Sequence, residues 1–196
     1  MQEIRFHGRG GQGTVLASIA LAKAFFSAGY WVQTFPVFGS ERRGAPVEAY
    51  LRLDREKIRL RSNVYEPDFV VVQDARLLEL VDVTKGLKKG GWLLVNSPSP
   101  LDAPSLAGFR LAYVDASGIA RERGLGNRGQ PITNTAMMGA FAKVMGSPDI
   151  ETLATAIEEE MPAKKAENAA AAREAYERVR APGLAVPAPA ALGGAS

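Results

Sequence analysis

Apolar and polar positions along the chain switch between a period of two and a period near 3.6, and the switches mark out the elements. Residues 2–7 read as a short strand, and residues 8–13 as a glycine-rich turn. Residues 14–28 then read as a helix, with Val15, Ile19, Ala22 and Phe26 at helical spacing and Gly29 as its C-cap. Residues 30–37 form a second strand, rich in aromatic and β-branched side chains, and residues 38–46 a polar loop. Residues 47–53 and 57–61 predict an antiparallel hairpin turning at 54–56. The unbroken apolar run Phe69, Val70, Val71, Val72 fits a strand buried on both faces. A helix is expected over 74–80 with Asp74 as N-cap, a basic turn over 85–91, a second buried strand over 92–95 and a stop at 96–100. Residues 110–114 predict the last strand. Four helices follow: 116–123, the apolar and therefore buried 133–145, and the amphipathic 149–160 and 164–179. The loop 124–131 between the first two carries Arg128.

A strand, a glycine turn, a helix and a second strand open an α/β domain. The predicted hairpin breaks the parallel pattern. The expected fold class is therefore α/β: three layers, α/β/α, around a mostly parallel, mixed sheet that includes an antiparallel hairpin. Residues 1–180 are expected as a single domain, with helices 149–180 as an appendage. Residues 181–196 are Ala, Pro and Gly in the main and predict a disordered tail.

Composition removes several chemistries. The chain has no cysteine, so it holds no disulfide, cysteine-bound zinc or cysteine-bound iron–sulfur cluster. Its single histidine, His7, reads as a residue at the end of the first strand, and no catalytic triad or histidine-rich metal site is expected around it. Residues 1–62 hold ten Lys/Arg and five Asp/Glu, a net +5 against +3 for the whole chain. That excess suits an anionic small ligand or an acidic partner; it is too weak for nucleic acid. No apolar run reaches the roughly 18 residues of a membrane span, and the N-terminus lacks a signal-peptide core, so the expected compartment is the cytoplasm.

The chemistry gathers at the turn Gly8, Arg9, Gly10, Gly11, Gln12, Gly13. Glycines let the backbone turn tightly and approach a ligand closely. The first amides of the following helix point outward at its positive end, and phosphate is the natural occupant. A dinucleotide reading also needs an acid at the end of the second strand, where Gln33, Thr34, Phe35, Pro36 and Val37 stand instead. A P-loop needs a Gly-Lys-Ser/Thr that is absent. A structural turn with no ligand stays open. Arg42 and Arg43 lie in the loop after the second strand, and their guanidinium forks suit phosphate or carboxylate; a subunit contact is the equal alternative. Asn134 opens the buried helix, either as its cap or as an amide aimed at a ligand.

Three ordered motifs, Arg9–Gly13, Phe38–Pro46 and Ile58–Ser62, resemble the gamma subunit of pyruvate and 2-oxoisovalerate ferredoxin oxidoreductases. The likeness continues through Tyr65-Glu66-Pro67-Asp68 and Val72-Gln73-Asp74, resumes over 133–141, and covers roughly residues 3–160. It implies one subunit of a larger enzyme that oxidatively decarboxylates a 2-oxoacid, passes electrons to ferredoxin and delivers the acyl group to coenzyme A. It implies alpha, beta and ferredoxin-like delta subunits as partners. Thiamine diphosphate, Mg and 4Fe-4S clusters are then expected on those partners. This chain's part would be coenzyme A handling and active-site closure, with no catalytic residue of its own. Gly10, Gly11, Gln12 and Gly13 would make backbone or amide contacts, and Arg9, Arg42, Arg43 and Asn134 are further binding candidates. A free-standing nucleotide-binding oxidoreductase and a structural subunit that binds no ligand are the alternatives.

Overall fold

The computed structural model describes residues 1–37, 44–127 and 129–182. Its centre is one six-stranded sheet of β1 (Gln2–Arg9), β2 (Trp31–Val37), β3 (Pro46–Asp54), β4 (Phe69–Val72), β5 (Trp92–Asn96) and β6 (Arg110–Val114), in the order β2-β3-β1-β4-β5-β6. β1, β4, β5 and β6 run parallel, and β3 is antiparallel to both β1 and β2. Helices α1 (Thr14–Ser27), α2 (Leu77–Leu80), α3 (Ala116–Glu122), α4 (Asn134–Met145), α5 (Ile150–Glu160) and α6 (Lys165–Arg178) complete the fold. This is the expected mixed α/β architecture.

The alternation of the central strands explains the layers. Phe69 and Val71 of β4 face the larger core, with α1, α3, α4, α5 and α6, while Val70 and Val72 face a smaller one with Leu77, Val83, Leu87 and Leu106. Every β4 side chain is buried, as a strand covered on both faces requires. Phe141 of α4 sits at the middle of the larger core. Its ring meets Phe6, Phe25 and Phe69 edge-on at centroid distances of 6.1, 6.5 and 5.5 Å. These contacts fix α4, and with it the residues at its start, against β1, β4 and α1.

The helices expected as an appendage are part of this core. Leu153, Ala154 and Ile157 of α5 and Ala169, Ala171, Ala172 and Ala175 of α6 are buried in it with α1 and α4. Gly139 shows how close the contact is: a Cβ there would stand 1.9 Å from the Ala172 carbonyl oxygen. Small residues along α6 and Gly139 on α4 let the two backbones touch.

Several expectations are corrected. The antiparallel hairpin joins β2 to β3, and residues 57–61 form no strand. Both edges of β3 are already paired, by β1 and β2, so a further strand has nowhere to add. β1 extends two residues past its expected end, through Arg9 opposite Pro46. The helix expected from Asp74 starts only at Leu77, because the Asp74 carboxylate accepts from the Arg76 amide at 3.1 Å and closes a turn first. In α1 the buried face is Ala17, Leu21, Ala24 and Phe25, whereas Phe26 is 70% exposed. No helix among the described residues is long and apolar enough to cross a membrane.

Candidate functional site

β1 leads into the glycine turn, and the turn leads into α1. Gly11 and Gly13 have φ of 92° and 72°, the left-handed region. At Gly13 there is also no room: a Cβ would lie 2.5 Å from the Asn134 amide nitrogen. Gly13 starts α1 with no side-chain cap, and the first intrahelical bond runs from the Ala17 amide to the Gly13 carbonyl at 2.9 Å. The amides before Ala17 therefore have no acceptor within the helix.

The turn is held from three sides. The Gly10 amide donates to the Ala45 carbonyl at 3.0 Å, so the end of the loop before β3 meets the turn directly. The Gln12 side-chain carbonyl accepts from the Arg9 amide at 2.8 Å, and its amide nitrogen donates to Asp74 at 3.4 Å. Asn134 donates from Nδ2 to the Gly13 carbonyl at 3.3 Å and accepts at Oδ1 from the Thr135 amide at 2.9 Å. Asn134 thus takes up one amide at the start of its own helix and clamps the turn.

A pocket of about 410 Å³ opens beside the turn, at the carboxyl ends of β1, β4 and β5. Chain crossings leave in opposite directions here: α1 leads to β2 on one side, α2 to β5 on the other. Such a switch point is where open α/β sheets bind ligands. Arg9, Gly10, Gly11 and Gln12 line it. Gly13 and Asn134 instead line a more apolar cavity of about 350 Å³, which the polar pocket meets at Gly11. Arg42, Arg43 and Arg128 lie outside the described residues.

Several pocket residues are not among the binding candidates that the sequence offers: Gln73, Asp74, Arg76, Asn96, Arg121 and Thr133. Most follow the carboxyl ends of parallel strands or open a helix, and that position was the available signal. Asp74 is the electrostatic hub. Arg76 donates to it at 2.7 and 3.0 Å, and Arg9 Nε is 2.9 Å from Oδ2, an ion-pair distance whose N–H is not aligned for a hydrogen bond. Burial pushes the Asp74 carboxyl up, but the hydrogen bonds from Arg76 and the charges of Arg76 and Arg9 outweigh it and hold the group below its ordinary value. Three arginines, Arg9, Arg76 and Arg121, against one carboxylate, Asp74, leave the lining with two net positive charges. Asn96 ties the far wall together, donating to the Gln73 carbonyl and the Ser117 hydroxyl, both at 2.9 Å.

His7 lies beneath the turn and does not line the pocket. It is 3% exposed, with Nδ1 3.5 Å from Glu48. Burial pushes its pKa down to about 4 against the pull of Glu48, so the ring is neutral near pH 7. Tyr50 donates to the same carboxylate at 2.5 Å; burial and this bond push its hydroxyl up to about 12. Neither group changes its charge near neutrality.

A model of the family described as pyruvate ferredoxin/flavodoxin oxidoreductase matches residues 3–178. The pyruvate/ketoisovalerate oxidoreductases common subunit gamma of Pyrococcus abyssi is 50% identical over 185 residues, covering 92% of this chain and 98% of that one. The crystal structure of the pyruvate oxidoreductase subunit PORC from Thermotoga maritima superposes with a TM-score of 0.77 at 35% identity, over 92% of this chain and 98% of that one. The fold also recurs in a 2-oxoglutarate:ferredoxin oxidoreductase from Magnetococcus marinus, solved with 2-oxoglutarate, coenzyme A and succinyl-CoA bound. There the TM-score is 0.69 at 23% identity, covering 89% of this chain and 29% of that one. The chain belongs to the pyruvate ferredoxin/flavodoxin oxidoreductase family, and in length and sequence it corresponds to its gamma subunit.

Proposed function

We propose that this chain serves a cytoplasmic, multi-subunit 2-oxoacid:ferredoxin oxidoreductase, and that its carboxyl-edge pocket holds the phosphate-bearing part of coenzyme A. Full-length likeness to gamma subunits supports the first half. The observation that carries the second is convergence: the glycine turn that leads into α1, Thr133 at the start of α4 and three arginines line one pocket of about 410 Å³. Coenzyme A accepts the acyl group in the family's reaction, and its pyrophosphate and 3′-phosphate match those donors and charges. Within the site, Gly10, Gly11 and Gln12 shape the turn, and Asn134 fixes it from α4. Asp74 orients Arg9 and Arg76. Arg42 and Arg43 are further candidates on the adjoining loop.

The alpha, beta and delta subunits would house thiamine diphosphate, Mg and the 4Fe-4S clusters, in keeping with a chain that contains no cysteine. The acid or base that a decarboxylation needs is then also theirs. The substrate is pyruvate or a branched-chain 2-oxoacid, chosen by those companions; the Pyrococcus relative is named as common to pyruvate and ketoisovalerate enzymes. A free-standing NAD enzyme fits less well. It wants an acid on a second strand paired beside the first, whereas here antiparallel β3 separates β2 from β1.

Reconstitution tests the proposal. The purified chain alone is expected to show no 2-oxoacid oxidation, and addition of the companion chains to produce coenzyme A-dependent ferredoxin reduction. Full turnover by the lone chain, or by the companions without it, would contradict the proposal.

A further inference from the structure

Thr133 is the residue from which α4 starts. A threonine hydroxyl in that position ordinarily accepts a hydrogen bond from an amide of the first turn. Here it makes none: the Thr133 backbone is helical (φ −98°, ψ −4°) and not extended as a capping residue's is, and the neighbouring Asn134 accepts from the Thr135 amide. Thr133 is 1% exposed, and its hydroxyl has no partner among the described residues. Gln73, at the end of β4, is also 1% exposed. Its side-chain carbonyl accepts from the Thr14 hydroxyl at 2.9 Å, which leaves the amide nitrogen as a donor without a partner among the described residues. Both side chains line the polar pocket. A buried polar atom without a partner weakens a fold, and two at one pocket point to a partner arriving from outside.

We propose that the Gln73 amide and the Thr133 hydroxyl are phosphate-contacting groups that set the ligand specificity of this pocket. The inference rests on the reading of the pocket as the coenzyme A phosphate site and names the groups that read it. The chemistry of the donors selects the ligand atom. A carboxamide nitrogen only donates, so whatever meets it must accept. The lining charge of Arg9, Arg76 and Arg121 favours negative charge, and Asp74 is already engaged with Arg9 and Arg76. Unprotonated phosphate oxygens accept, carry charge and donate nothing. The arginines attract such a ligand over several ångströms, whereas the two neutral donors require an oxygen within hydrogen-bond reach. They therefore discriminate, where the charges only attract.

Thr133→Val tests this cleanly, since it removes a hydroxyl that the fold does not use and keeps the shape. Binding would be measured by calorimetry on the assembled enzyme, with coenzyme A, adenosine 3′,5′-bisphosphate and phosphate-free pantetheine as probes. The variant is expected to unfold at or above the wild-type temperature, yet to bind the two phosphate-bearing probes about tenfold more weakly. Pantetheine binding should be unchanged. Gln73→Met should weaken the same two probes; it also costs Thr14 its acceptor, so Thr133→Val decides the matter if that variant folds poorly. Wild-type affinity for coenzyme A in Thr133→Val would overturn the inference and leave the coenzyme A reading standing. A wild-type enzyme that binds pantetheine as tightly as coenzyme A, or binds none of the probes, would overturn both.

Discussion

Helices α1 and α5 begin in opposite ways. α5 starts from Asp149, whose carboxylate accepts from the Thr152 amide at 2.9 Å and from the Thr152 hydroxyl at 2.5 Å. α1 starts from Gly13, which has no side chain to offer. α4 resembles α1 in that its starting residue, Thr133, leaves its hydroxyl unused. The sealed start lies away from the polar pocket and serves the fold alone. The starts of α1 and α4 come together at the carboxyl edge, where Asn134 of one clamps the Gly13 carbonyl of the other. The same backbone need, an acceptor for the first amides of a helix, is met by a side chain in one region and by none in the other.

Substitutions at these starts should separate the two roles. The largest effect is expected from Gly13→Val. A β-branched residue is strained at φ 72°, and its Cβ would press on the Asn134 amide. About 3 kcal/mol or more of stability should be lost, by denaturant titration, together with more than tenfold in coenzyme A affinity. Retained affinity would place the ligand elsewhere.

The strand beneath the open turn offers a second test through pH. Burial holds the His7 pKa at about 4 against an ordinary 6.5, so the unfolded chain takes up a proton that the folded one refuses until the pH is much lower. The stability that comes from keeping the ring neutral is fully present above pH 6.5. It falls as the pH drops from 6.5 towards 4, by up to about 3 kcal/mol. Urea midpoints measured across that window should decline in the wild type and decline less in His7→Gln. Equal slopes would show that His7 is not held neutral.

The smallest effect belongs to the sealed helix. Asp149→Ala should cost about 1 kcal/mol of stability and leave coenzyme A affinity unchanged. A loss of affinity there would erase the contrast between the two kinds of helix start.

Much of the fold was legible because its signals are local. The run of Phe69, Val70, Val71 and Val72 fits a strand covered on both faces, and Asp149 before an amphipathic stretch marks a helix start. What failed was decided at a distance. Residues 57–61 have the alternation of a strand, with Ile58 half-buried and Leu60 exposed, but β2 and β1 had taken both edges of β3. The buried face of α1 was misread because the helix is apolar nearly all round; close packing against α5 and β3 favours its alanines over Phe26. In the site, Arg9, Gly10, Gly11 and Gln12 were legible because the turn is contiguous. Gln73, Arg76, Arg121 and Thr133 were not, because only the parallel sheet brings them together. Asn134 was legible as a candidate because it opens the apolar stretch, but its bond to the Gly13 carbonyl, 121 residues away, was not.

The most direct measurement is a map of the assembled enzyme with coenzyme A bound. The account predicts a phosphate group within hydrogen-bond distance of the amides that open α1, with the Gln73 amide and the Thr133 hydroxyl turned towards it. Coenzyme A bound with all of its phosphates away from that turn would contradict it.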